Sequence, residues 1–214
     1  MIIDIITDIE TLGTRPGCRI IEIGACALCA QAGAIVGTFC RRIRTPWNSA
    51  DGVRAFADGP EADDDFKQTA LWWLSDPGRR KTLGRIINAG SARAGVPIRD
   101  ALFNFGEWVC RQKRDGDKIR IWGNGPTFDL SLLAWQYQDK GIPLPWQYRD
   151  ERCVRTALDI AGMQPGSVPW QEKGDCHRAL CDAMHEARKL YRSGALSLRG
   201  GILPMIFNAR ATGG

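Results

Sequence analysis

Ile2-Ile3-Asp4-Ile5-Ile6-Thr7-Asp8-Ile9-Glu10-Thr11-Leu12-Gly13 is the stretch from which the rest of the chain is read. It is rich in isoleucine, has the length of a β-strand and closes on a glycine that permits a turn. Side chains alternate along a strand, so Asp8 and Glu10 share a face. Two neighbouring carboxylates repel each other, and burying either one costs free energy. A bound cation relieves both costs, and hard oxygen donors favour Mg²⁺ or Mn²⁺ over zinc. Taken alone, Asp-x-Glu describes a strand end with two solvated acids equally well. Carboxylates placed further along the chain decide between the two.

The whole chain has 214 residues, 44% apolar and 25% charged, which fits one α/β domain over residues 1–195 followed by a tail at 196–214. No segment reaches the roughly 18 apolar residues of a membrane span. Asp4 lies in the first apolar run and no basic stretch precedes it, so no secretory signal is expected and a cytoplasmic protein is. The net charge is +5. If several acids gather around metal, the remaining surface is more basic than this total, which suits a nucleic-acid strand led to an acidic pocket. Of the eight cysteines, Cys26 and Cys29 form one pair with no second pair at zinc spacing, so reduced thiols are expected.

Arg19–Leu28 predicts a second strand and Ala34–Phe39 a third, joined by short turns into an antiparallel meander. Residues 46–60 read as an irregular connection. A helix over about 61–74 places Phe66, Ala70, Trp73 and Leu74 on one stripe. Of Trp72 and Trp73, one is expected in the core and the other against a base. Asp76-Pro77-Gly78 reads as the stop of that helix, and the basic run Arg79, Arg80, Lys81 and Arg85 is either a solvated face or a contact for a strand backbone. Pro97 opens a further helix, Lys118–Trp122 is a strand, and residues 128–138 form a helix after a glycine-flanked loop. A short strand near 147–149, a helix near 152–163, a Pro/Gly-rich loop at 164–174 and an amphipathic helix at 178–193 complete the order. For the tail, a docking strand, a dimer contact and a loose terminus all remain open.

Asp129 sits in the first turn of its helix, where a carboxylate is favourable in any case. His177 and Asp182 have the spacing His-x4-Asp at the start of the last helix. Together, Asp8-Ile-Glu10-Thr11-Leu12, Trp122-Gly-Asn-Gly-Pro-Thr-Phe-Asp129 and His177-Arg-Ala-Leu-Cys-Asp182 resemble the DEDDh branch of the DnaQ-like 3′-to-5′ exonucleases. The resemblance is closest to their small phage and bacterial exoribonuclease-like members, which share a Thr-x-x-Trp-Trp helix, here Thr69 to Trp73, and an Arg-Thr-x-x-Asp segment, here Arg155 to Asp159.

That resemblance implies an RNase H-like fold, a mixed β-sheet flanked by helices. It implies that Asp8, Glu10, Asp129 and Asp182 hold two Mg²⁺ ions, replaceable by Mn²⁺, and that His177 is the general base. It puts Thr11 and Leu12 at the terminal nucleotide and Trp73 against substrate, and leaves His185 on the surface. The implied reaction is metal-dependent hydrolysis from the 3′ end of a single strand, by a homodimer. No residue decides between RNA and DNA, and the resemblance favours RNA. The alternatives are a DNA-directed exonuclease and a nuclease-inactive binding module on the same fold.

Overall fold

The computed structural model describes residues 2–29, 32–90, 95–113, 116–125, 127–163 and 177–197. The loop expected at 164–174 and all but the first two residues of the 196–214 tail lie outside them. Strands β1 (Ile2–Leu12), β2 (Arg19–Cys29) and β3 (Ala34–Arg42) form the meander, each pair antiparallel. Strands β4 (Lys118–Gly123) and β5 (Glu151–Cys153) add to the other side in parallel, in the order β3-β2-β1-β4-β5. The return to β4 passes through four helices, a connection long enough to bring a strand back parallel. The result is the expected mixed sheet with helices packed on it.

Alternation along the central strand sorts the layers. Ile3, Ile5 and Ile9 pack with Leu102 and Phe105 of α4 (Ile98–Arg111) and with Leu133 of α5 (Asp129–Asp139). Ile6 faces the other way, among Cys26, Leu28 and the Ala183, Ala187 and Leu190 stripe of α7 (Ala179–Arg192). Each such fully buried aliphatic side chain contributes about 1.5–3 kcal/mol. Asp4 shares the α7 face and is wholly buried. The Arg120 Nε and Nη2 atoms donate to its two oxygens at 2.5 and 2.7 Å, and the Trp122 indole N–H donates at 2.8 Å. A buried carboxylate satisfied on both oxygens in this way is tolerated, and removing one partner would be costly.

Three helices close the end of the sheet: α1 (Ala50–Ala57), α2 (Asp64–Leu74) and α3 (Pro77–Ala89). Ser49, Asp63 and Asp76 are their N-caps and accept from the Gly52, Phe66 and Arg79 amides at 3.2, 2.8 and 2.8 Å. Each cap contributes about 1 kcal/mol. Three sequence expectations are corrected here. The connection at 46–60 contains α1, and Asp76-Pro77-Gly78 begins a helix as well as ending one. Asp76 caps α3 and Pro77 takes its first position, where its fixed φ fits and its missing N–H is not needed. The strand expected near 147–149 is a 3₁₀ turn at Tyr148–Asp150 that leads into β5, and the following helix, α6, spans Val154–Ile160.

Candidate active site

The C-terminal end of β1 forms the floor of a cavity of about 560 Å³. Asp8 and Glu10 lie on the face that α7 covers, Asp129 comes from the first turn of α5, and Asp182 from the first turn of α7. His177 stands just before α7. The four acids and the histidine expected to carry the chemistry all line this one cavity, although their sequence positions span 174 residues between Asp8 and Asp182. One ligand atom each from Glu10, His177 and Asp182 fall within 4.8 Å of one another.

Asp129 is held by backbone. The Ile9 amide donates to Oδ1 at 3.3 Å and the Asn124 amide to Oδ2 at 2.9 Å. Burial pushes its carboxyl up to about 6, against the pull of those same amides. A fifth acid, Asp65, also lines the cavity but is spoken for. The Thr14 hydroxyl and amide donate to it at 2.7 and 2.8 Å, and the Arg15 amide at 3.2 Å. Its slight burial raises the carboxyl, and these donors outweigh it and hold the group below the usual range. Asp65 therefore fastens the β1–β2 turn to α2. Gly13 serves the same turn: its φ is +138°, and a Cβ would meet the Asp65 carboxylate at 2.6 Å.

The position of α7 is set from β2. Glu22 is fully buried, and its carboxylate accepts from Arg178 Nε and Nη2 at 3.2 and 3.1 Å and from the Ala179 amide at 3.0 Å. Arg42 Nε approaches it at 3.3 Å. Gly24 lies opposite Asp8 in the register, and the Ala179–Leu180 backbone rests directly on it. His177 enters this anchored segment with φ of 55°, a left-handed turn that histidine adopts more readily than most residues. Its ring meets Trp72 and Trp73 edge-on, with centroids 5.2 and 5.8 Å away.

Two expectations change, and a third gains a second role. Trp73, expected against substrate, does line the cavity, but it is 1% exposed; its indole N–H donates to the Thr11 carbonyl at 3.0 Å and fixes the end of β1. It shares the Phe66 and Ala70 stripe, so Trp72, one helical position away, is the exposed member at 44%. Leu12, expected at the terminal nucleotide, packs under α1–α3 with Val53, Phe66 and Leu83, while Thr11 does line the cavity. His185, expected on the surface, is 1% exposed, although it lies about 160° around α7 from the Ala183, Ala187 and Leu190 stripe that faces the sheet. Arg155, quoted above only as part of a motif, is the cavity's sole Arg or Lys among the described residues. Glu22 had escaped notice, and a lone acid in the apolar run Ile20-Ile-Glu-Ile was the available signal.

A family model for the Rv2179c-like 3′-5′ exoribonuclease domain matches residues 4–192. The chain belongs to that family. It is a hydrolase, a 3′-to-5′ exonuclease with the DEDDh, RNase H-like fold. Solved structures similar to it include the nuclease domain of 3′hExo, a DEDDh family member bound to rAMP, with a TM-score of 0.52, 15% identity and coverage of 89% of this chain and 90% of that one. Cell-death related nuclease 4 gives 0.53, 16%, 89% and 62%. E. coli Exonuclease I in complex with a 5cy-dA13 oligonucleotide gives 0.56, 14%, 91% and 40%. At these identities the likeness is one of fold, and the chain spans less than two thirds of the last two proteins. A search of curated proteins returned no match. The DEDDh exonucleases depend on divalent metal, and the donor set here fits such an ion. It offers carboxylate oxygens from four acids on three elements, with Asp129 buried where charge is disfavoured without a cation nearby.

Proposed function

We propose that Asp8, Glu10, Asp129 and Asp182 hold two Mg²⁺ ions, which Mn²⁺ can replace, and that the protein removes nucleotides one at a time from the 3′ end of single-stranded RNA. The observation that carries this is the meeting of Glu10, His177 and Asp182 at one end of β1, inside a cavity that Asp8 and Asp129 also line. A pair of divalent ions, when bound, supplies an acidified water and charge stabilisation at the leaving 3′ oxygen.

The chain's own groups do the rest. A ring nitrogen of His177 takes a proton from the attacking water, a role suited to a neutral imidazole. Trp72 and Trp73, edge-on to that ring, restrict its swing. Arg155 offers the cavity a positive charge suited to a phosphate oxygen. Thr11, whose hydroxyl donates to the Gly13 carbonyl at 2.6 Å, gives a rigid edge against which a terminal nucleotide is placed.

A 5′-labelled RNA oligomer tests this. Mononucleotides are expected with Mg²⁺, none in EDTA, and none from a strand whose 3′ hydroxyl carries a phosphate. Unchanged shortening of the blocked strand would refute the 3′ polarity, and a DNA oligomer of the same sequence degraded faster would refute the RNA preference. The preference for RNA follows the family description. A homodimer in the cytoplasm belongs to the same proposal, from resemblance and composition, and light scattering on the purified protein tests the dimer. No helix among the described residues is long and apolar enough to cross a membrane.

A further inference from the structure

His177 is the wall between two cavities of opposite character. On one side is the acidic site. On the other lies a groove of about 540 Å³ lined by Asp76, Gly78, Arg79, Lys81, Thr82, Arg85 and His177 itself. The groove has three cationic side chains against one carboxylate, and that carboxylate is engaged in capping α3 through the Arg79 amide. Arg80, from the same run, turns away and pairs with Asp51 at 2.6 Å, so the run divides between two faces of α3. At the boundary the Arg79 guanidinium lies over the Trp72 ring, 4.3 Å from its centroid, and donates through Nη2 to Ser75 Oγ at 3.0 Å. Trp72, still 44% exposed, lines the acidic cavity.

We propose that this α3 groove binds the backbone phosphates of the strand on the 5′ side of the terminal nucleotide. This rests on the acidic cavity being where that nucleotide is cleaved. The strand must leave the cavity somewhere, and its phosphates are repelled by the acids and attracted by the nearest cations. The groove begins at His177, beside the bond to be broken. From Arg79 to Arg85 the helix rises roughly 9 Å, room for about two phosphates of an extended strand. The Trp72 and Arg79 pair at the lip gives a flat surface for the base that follows the scissile bond, since guanidinium and indole planes both stack on bases. The ligand class is thus a single strand several nucleotides long, recognised without regard to sequence.

The test compares the wild type with a Lys81→Glu/Arg85→Glu double variant, both residues outside the acidic cavity. Three readouts are used: binding of a 5′-fluorescein 10-mer in EDTA by anisotropy, its degradation with Mg²⁺, and hydrolysis of a p-nitrophenyl ester of uridine 5′-monophosphate, which fills only the acidic cavity. The variant is expected to bind the 10-mer at least about tenfold more weakly at low salt and to raise KM for it, with kcat/KM for the ester unchanged. The slope of log affinity against log salt should flatten by about 1.4, two phosphate contacts at roughly 0.7 each. Unchanged 10-mer binding and slope would overturn the groove while leaving the cleavage site intact. An equal fall on ester and 10-mer would also overturn it, by showing that the effect passes through the site or the fold. If the wild type cleaves neither substrate, the cleavage site itself is misassigned and the groove's role falls with it.

Discussion

Gly24→Ala changes one hydrogen to a methyl group on a strand that contributes no acid to the site, yet it should disable the enzyme. A Cβ on residue 24 would lie 2.7 Å from the Leu180 Cα and closer still to Leu180 N and Ala179 C. Ordinary contact begins near 3.4 Å. These are backbone atoms of a helix, so no rotamer change relieves the overlap, and α7 must back off the sheet by about 1 Å. Asp182 and His177 travel with it, while Asp8 and Glu10 stay on β1. A misplacement of that size costs about 10²-fold in rate. The overpacking itself should cost about 1–3 kcal/mol of stability, which leaves the protein folded at 15–20 °C. Single-turnover cleavage of a labelled oligomer at that temperature, beside a circular-dichroism melt, separates the two effects. Folded Gly24→Ala with turnover within threefold of wild type would show that the seat of α7 on β2 does not align the site.

Asp8→Asn should abolish metal-dependent cleavage by orders of magnitude and leave the metal-free melting temperature equal or higher, since one repelling charge has gone; near-normal turnover would remove Asp8 from the site. His177→Ala should lose about 10²–10⁴ in rate while still binding Mn²⁺ in a calorimeter, because all four acids remain. His185→Ala, by contrast, should lower the melting temperature, since its ring is buried; an unchanged melt would show that the ring contributes nothing there. Burial pushes the Cys18, Cys26 and Cys40 thiols up to about 12, 12 and 11. A raised pKa means less thiolate at any pH below it, so iodoacetamide at pH 8 should label exposed Cys110 first and these three only on unfolding, as read by mass mapping.

What could be seen in the residues before any coordinates was whatever rests on local period and spacing. The isoleucine run gave away β1, and strand alternation put Asp8 and Glu10 on one face. The 3.6-residue stripe located α7, and with it Asp182. The short helix α1 stayed hidden because its eight residues sit between turn-forming neighbours and show barely two helical turns of pattern. Asp76-Pro77 carried both a stop and a start, and only the stop was taken. The roles of Glu22 and Gly24 could not be read at all. Both depend on which strand α7 lies across, a long-range contact that leaves no periodic trace. The exchange of roles between Trp72 and Trp73 has a nearer cause: adjacent helix positions point about 100° apart, and the stripe through Phe66 and Ala70 already selects Trp73 for the core.

The division of the acids between β1, α5 and α7 also has a consequence for synthesis. All five strands among the described residues are encoded by residue 153, whereas His177 and Asp182 come afterwards. A ribosome adding about 5–20 residues per second takes on the order of seconds to cross from β5 to α7. Through that interval the emerging chain can carry a finished sheet with Asp8, Glu10 and Asp129, and no complete catalytic set. On the proposed assignment, a nuclease so arranged would gain its full set of acids only once α7 has been made and seated on Gly24. A fragment ending before residue 182 is accordingly expected to show no metal-dependent cleavage.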